Sequence, residues 1–198
     1  MGLSIHYSGS FNKNSSLPEM IEEVKDIAEI YQWEYTIFEE QFPSKSFGEI
    51  SFNQNIYGIC FSPPKCETIW LCFLSNGKMS SPMHLEFFSN PRNEDERQYL
   101  YSLSTKTQYA GINIHKLIIH LLKYLSEKYF QNFTLNDEGE YWETGDEQLL
   151  QENFNRYNDL MQTVSSALEN IPMKTDETVE KYFERILKQI HIRKKNGR

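Results

Sequence analysis

Six carboxylates lie within eleven consecutive residues, 137–147, and no other stretch of that length in the sequence holds as many. The same segment holds two aromatic residues and no basic one. Carboxylates on a turn can ligate a divalent cation, receive a basic partner or start a helix. The six are Asp137, Glu138, Glu140, Glu143, Asp146 and Glu147.

The segment does not follow the EF-hand pattern, because its glycine is the third residue and the glutamate expected at position twelve is missing. A capping box of Thr144 and Glu147, together with the helix dipole, explains why carboxylates occur at the end of the segment. It does not explain the carboxylates at its beginning. A divalent cation site, an acidic surface for a basic protein and a solvated turn therefore remain open. If the segment binds, Glu140, Tyr141 and Trp142 are expected to contact the ligand, although the aromatic pair could equally fix the turn to the core.

A polar segment, residues 104–111, precedes a strongly apolar helical pattern and is a second candidate site. Lys106, Gln108 and Tyr109 lie there, where a helix N-terminus can attract an anion, but the glycine spacing of a phosphate-binding loop is absent. The alternative interpretation is a polar strand end that leads into a helix.

Two histidines complete the candidate set. His6 lies on the polar face of an alternating strand pattern, and His115 lies one turn into the apolar helix, where a hydrogen-bonded core residue is the simpler interpretation. If these polar segments converge, they supply a base, a cation and carboxylates for acid–base or metal-assisted hydrolysis. No known catalytic motif supports this hypothesis. Its residues would be His6, Lys106, His115, Asp137, Glu138 and Glu143.

Charge is distributed unevenly along the 198 residues, whose net charge is −8. Of the 20 basic residues, five lie in residues 188–198, which contain no acid, so the rest of the chain carries 15 bases against 28 acids. A body with a charge of −13 repels phosphate backbones, which leaves only the basic tail for nucleic acid. The charge favours a basic protein partner instead.

The three cysteines indicate a reducing compartment, because their number is odd and their spacing is not that of zinc ligands. The N-terminus lacks the pattern of a signal peptide, and no apolar run is long enough to span a bilayer. We therefore expect a cytoplasmic protein without a membrane segment. No cofactor is indicated, apart from the possible divalent cation.

Hydrophobic periodicity predicts the elements that must position these residues. Helices are predicted at 17–31, 112–129, 146–170 and after Asp176, the proposed N-cap of the last one. Strands are predicted at 3–7, 34–42, 56–61, 68–74, 84–88, 97–103 and 132–136, with a short one possible at 50–52 and polar loop at 90–96.

This order predicts an α+β fold, with an antiparallel or mixed sheet and helices on one face. Two strand–helix–strand segments suggest split units of the ferredoxin-like kind. Residues 1–170 would form one domain, and residues 171–198 a C-terminal helix and basic tail that packs on the body or binds a second copy.

Several blocks of the chain resemble a bacterial protein family that has no assigned activity. The resemblance rests on the opening at residues 2–7, the Lys-Thr-Gln-Tyr-Ala block at 106–110, His115, and the Asp-Glu-Gly-x-Tyr-Trp-Glu block at 137–143. It covers roughly residues 2–165 and leaves out the last helix. It implies that these blocks belong to one domain and that the source is bacterial.

Three functions remain open on the sequence alone. The leading hypothesis is a non-enzymatic protein-binding module with an acidic surface. The alternatives are a small hydrolase or metal-dependent enzyme built on the histidines and the acidic turn, and a structural homodimer joined through the C-terminal helices.

Overall fold

The computed structural model describes residues 3–90 and 94–196, with side chains up to residue 189 except at position 94. The strands are β1 (Ser4–Phe11), β2 (Glu34–Ile37), β3 (Tyr57–Ser62), β4 (Ile69–Phe73), β5 (Leu103–Lys106) and β6 (Phe130–Asp137). The helices are α1 (Leu17–Ile30), α2 (Pro82–Phe88), α3 (Ile112–Tyr129), α4 (Tyr141–Thr144), α5 (Glu147–Asn170) and α6 (Val179–Asn196), and a 3-10 helix spans Glu94–Tyr101. The α+β class predicted from the sequence is confirmed.

Strand β1 is the centre of a three-stranded sheet of order β5-β1-β6, and both neighbours run antiparallel to it. β5 and β6 are therefore parallel to each other, joined by α3 and separated by β1. This is the second of the two predicted split units, and it is confirmed. Side chains alternate along β1, so that Ile5 and Tyr7 are buried while His6 is exposed.

The remaining strands form a second antiparallel sheet of order β2-β3-β4. Because β1 and β2 lie in different sheets, the prediction of the first split unit is wrong. The prediction of a single sheet is wrong for the same reason. The Tyr7 hydroxyl joins the sheets, since it accepts from the Trp70 N–H at 3.0 Å and lies 3.2 Å from the Trp70 carbonyl oxygen. Gly58 has a φ of +115°, and a Cβ there would lie 2.3 Å from the Leu71 carbonyl oxygen.

Two predicted strands are helical instead. Residues 82–88 form α2, which begins at Pro82 and is capped by the Ser81 hydroxyl, a start signal that outweighs the β propensity of the following residues. Residues 94–101 form the 3-10 helix, and the strand begins only at Leu103. The possible strand at 50–52 lies in a loop, and β2 ends at Ile37. Of the predicted loop at 90–96, residues 91–93 lie outside the described residues.

The chain divides into two compact units, one ending at Gln151 and the other beginning at Glu152. The first unit contains both sheets and most of the buried side chains. In the second, Ala167 of α5 and Ile171, which follows that helix, pack with Ile186 of α6. The division predicted at residue 170 stays a prediction. The cap of α6 is Thr178, whose hydroxyl accepts from the Lys181 N–H at 3.4 Å, and not Asp176.

Candidate functional site

Asp137, at the end of β6, is the residue around which the acidic turn folds. Its Oδ1 accepts from the Gly139 N–H at 2.7 Å, and its Oδ2 accepts from the N–H groups of Tyr141 at 2.9 Å and Trp142 at 3.2 Å. Burial alone would raise the pKa of Asp137, but His115 and these N–H groups lower it below its usual value. Asp137 is thus an internal anchor and is not available to a ligand.

His115 connects Asp137 to the segment before α3. Its Nε2 lies 3.1 Å from the Asp137 carboxylate and its Nδ1 lies 2.7 Å from the Thr107 hydroxyl. Because a carboxylate can only accept hydrogen bonds, the proton of the His115 ring lies on Nε2, which donates to Asp137. A hydroxyl, an imidazole and a carboxylate follow one another as in a nucleophilic triad. All three residues are buried, however, so no substrate reaches the Thr107 oxygen.

His6 and Glu138 form a second pair on the opposite face of the sheet. His6 Nε2 lies 3.3 Å from Glu138 Oε1, and Glu138 Oε2 accepts from the Ser4 N–H at 2.8 Å. The pair is separated from His115 and Asp137 because successive residues of a strand point to opposite faces. The side chains predicted to converge are therefore divided between the two faces of the sheet.

The other two members of the predicted cluster have separate surroundings. Glu143 Oε1 accepts from the Asp137 N–H at 3.4 Å, which closes the turn. Lys106 is held through its backbone, whose N–H donates to Glu67 Oε2 at 2.8 Å. Within the described residues, no ion pair joins the Lys106 ammonium to a candidate carboxylate. The hydrolase hypothesis thus loses the single cluster on which it was built.

The exposed face of the sheet β5-β1-β6 carries a polar groove of about 480 Å³. His6, Ser8, Ser104, Thr134 and Asn136 contribute hydroxyl, amide and imidazole groups from the three strands. The 3-10 helix closes one side, and no lysine or arginine occurs among the described lining residues. They are His6, Tyr7, Ser8, Gln98, Tyr99, Ser102, Leu103, Ser104, Thr134, Leu135 and Asn136.

Sequence reasoning missed this groove because it placed residues 97–103 in a strand, although the polar residues alternating on β1 were a signal for it. The groove and the acidic turn are adjacent, since His6 lines the groove and contacts Glu138. Asn136 of the groove also precedes Asp137 directly. We call the groove and residues 138–146 together the polar-acidic surface.

Beyond Glu138, three carboxylates of the turn are exposed on this surface. Glu140 has a left-handed backbone with φ of 61° and is the N-cap of α4, and Glu143 lies within that helix. Asp146 caps α5, because its Oδ1 accepts from the N–H groups of Gln148 at 2.8 Å and Leu149 at 3.1 Å. The predicted capping role of Thr144 is therefore wrong. Glu147 forms an ion pair with Lys116.

The aromatic and amide residues predicted to contact a ligand differ in exposure. Tyr141 is buried with its hydroxyl 3.2 Å from His120 Nε2, and the half-buried Trp142 packs edge-on against Phe133. Both therefore fix the turn to the body. Tyr109 is 56 % exposed. Gln108 is only 3 % exposed, and neither polar atom of its amide has a hydrogen-bond partner among the described residues.

Across residues 3–90 and 94–196, no three His, Cys, Asp or Glu side chains are grouped so that they could hold a metal ion. Within these ranges no helix combines the length and the apolar character that crossing a membrane requires.

Comparison with known proteins adds no relative. The chain matches no protein-family model, and no curated protein or solved structure is significantly similar to it. The resemblance to a bacterial family stays a prediction.

Proposed function

We propose that this protein is a non-enzymatic binding module that receives a basic segment of a partner protein on its polar-acidic surface. The observation that carries the proposal is the anchoring of the turn. Asp137 is held by three backbone N–H groups and by His115, so the carboxylates that follow it are presented from a fixed backbone. A preorganised surface binds with a smaller loss of conformational entropy than a mobile one.

Electrostatics supports a basic partner. The carboxylates of Glu138, Glu140, Glu143 and Asp146 lie beside a groove whose described lining has no lysine or arginine. Arginine and lysine side chains of a partner could pair with the carboxylates while its backbone and polar groups bond to the groove. The negative charge of the whole body would accelerate the encounter.

The chemistry available elsewhere gives less support to an enzyme. The Thr107, His115 and Asp137 side chains are sealed from solvent. Burial raises the pKa of the Cys66 thiol to about 12, so this thiol is a poor nucleophile at neutral pH. The cysteines are free thiols, which supports our placement of the protein in a reducing cytoplasm.

The test uses nuclear magnetic resonance of the full-length chain, titrated with a synthetic peptide of alternating arginine and serine. We expect shifts confined to the backbone amides of the groove and of residues 138–146. The double variant Glu140→Lys and Glu143→Gln should weaken binding about tenfold at low ionic strength, and high salt should weaken binding of the unmodified protein.

The matched control is the double variant Asp26→Lys and Glu19→Gln, which makes the same total change of charge at two exposed acids of α1 and should alter the affinity by much less. Equal weakening by both variants would mean that only net charge matters, and the proposed surface would be abandoned. Binding that is insensitive to salt, or shifts that map elsewhere, would also contradict the proposal.

A further inference from the structure

The 3-10 helix borders a second cavity, of about 290 Å³, whose described lining shares no residue with the polar groove. Its walls come from residues 48–52, from the turn after β4, from Ser89 after α2 and from the 3-10 helix itself. Three charged side chains line it, namely Glu49, Lys78 and Arg97. We call this cavity the charged pocket.

The walls of the charged pocket are joined by hydrogen bonds to buried serines. The Ser75 hydroxyl accepts from the Asn53 N–H at 3.0 Å, and the Ser75 carbonyl oxygen accepts from the Ser46 hydroxyl at 2.6 Å. These bonds fasten the segment around residues 48–52 to the turn that carries Lys78. The Ser80 hydroxyl donates to the Leu100 carbonyl oxygen at 2.8 Å, which fastens the 3-10 helix to the same turn. A pocket with walls joined in this way is preorganised for a ligand.

The uncharged part of the lining is largely apolar. Leu100 is buried with 1 % of its surface exposed, and Phe52 and Tyr101 pack against the same core cluster. Ile50 also lines the pocket, with 87 % of its surface exposed. A ligand with an apolar group would remove this surface from water, which favours binding.

The charges of the pocket are not compensated within the protein. Lys78 places its ammonium 4.6 Å from the centre of the Tyr101 ring, a cation–π contact that holds it at the cavity. Among the side chains that the structure describes, no ion pair joins Lys78, Arg97 or Glu49 to an oppositely charged group. Charges of both signs therefore line one cavity without pairing with each other.

A ligand that carries both signs of charge and an apolar group matches this lining. We propose that the charged pocket binds an α-amino acid with a large apolar side chain. The ligand carboxylate pairs with Arg97 and Lys78, its ammonium pairs with Glu49, and its side chain contacts Phe52 and Leu100. Glu49 would repel a ligand with negative charge alone, and the two bases would repel one with positive charge alone.

The size of the pocket agrees with this ligand class, because about 290 Å³ lies at the small end of the range for ligand sites and suits one small molecule. The inference is independent of the proposed function, since the charged pocket uses none of the described residues of the polar-acidic surface.

Isothermal titration calorimetry of the full-length chain tests the proposal with three related probes. L-Phenylalanine carries both charges, hydrocinnamate lacks the ammonium, and phenethylamine lacks the carboxylate. We expect L-phenylalanine to bind, and each of the other two to bind at least about tenfold more weakly, because each loses one charge-assisted contact. L-Leucine repeats the measurement with a smaller apolar side chain. Binding of neither amino acid overturns the proposal.

Two variants assign the contacts. Arg97→Gln should weaken L-phenylalanine and hydrocinnamate alike, whereas Glu49→Gln should weaken only L-phenylalanine, since hydrocinnamate has no ammonium. The matched control is Arg156→Gln, which removes the same charge from an exposed position on α5 and should leave both affinities unchanged. Hydrocinnamate that binds as tightly as L-phenylalanine would mean a site for simple anions and overturn the proposal. L-Phenylalanine binding that is unaffected by Arg97→Gln and Glu49→Gln would place the ligand elsewhere and overturn it too.

Discussion

Asp137 is the residue on which the candidate site depends, since its two oxygens serve His115 and three backbone N–H groups. Replacing Asp137 by asparagine keeps the shape of the side chain but removes its charge, and one of its two acceptor oxygens becomes an NH2 donor. We expect Asp137→Asn to lower the free energy of unfolding by about 3 kcal/mol, because buried donors lose their acceptor. Urea unfolding measures the change.

The control for this variant is Glu140→Gln, an exposed neighbour in the same turn, which should stay within about 0.5 kcal/mol of the unmodified protein. Similar effects of the two substitutions would show that the network under the turn contributes little to stability.

The lowered pKa of Asp137 also predicts a pH dependence. The unfolded chain binds a proton at this group near the ordinary value of 3.8, whereas the folded protein does so only at lower pH. The group therefore stabilises the fold above pH 3.8, and this contribution is lost as the pH falls through the folded pKa. Unfolding measured across this range should be less steep for Asp137→Asn than for the unmodified protein, and identical curves would refute the assignment.

The sequence identified the acidic turn and the two histidines, but neither the groove nor the arrangement of these residues. His6 and His115 were both candidates, yet their placement on opposite faces depends on the register that sets Ile5 opposite Asp137. That register is a contact between residues more than a hundred positions apart, and no local pattern encodes it. The apolar neighbours of His115 in the sequence also favoured the alternative, a hydrogen-bonded core histidine. Its full burial agrees with this alternative.

At the scale of the elements, the start of α5 offers a test of the corrected cap. Asp146→Ala removes the acceptor for the N–H groups of Gln148 and Leu149, and we expect it to cost about 1 kcal/mol. Glu147→Gln, on the next residue, removes only an ion pair with Lys116 and should cost less than half as much. Thermal unfolding followed by circular dichroism compares them, and the reverse order would restore the predicted capping box.

Long helices were predictable because their apolar residues repeat over several turns, and the predicted bounds of α3 are those observed. The errors fall on short segments. Seven residues at 82–88 and eight at 94–101 are too few for periodicity to separate a strand from a helix. The division into two sheets was not predictable either, because alternation along a strand does not identify the strand beside it.

At the scale of the whole molecule, the two units differ in how much apolar surface they bury. The second unit has a small cluster centred on Ala167, Ile171 and Ile186, whereas the first buries side chains from both sheets, α1 and α3. We expect amides of residues 155–186 to exchange with solvent faster than those of α3, because less buried area opposes their opening. Hydrogen exchange with mass spectrometry measures both, and uniform protection would show that the chain opens as one unit.

The central position of β1 has a consequence for biosynthesis. Of the six strands in the described residues, β1 leaves the ribosome first and its neighbours β5 and β6 leave last, and the bond from Ser4 to Glu138 spans 134 positions. Strands β2, β3 and β4 are neighbours in the chain and can pair early. Until residue 137 has been made, the nascent polypeptide therefore carries β1 without its two sheet neighbours and with one apolar face uncovered. During that interval β1 is a binding site for chaperones.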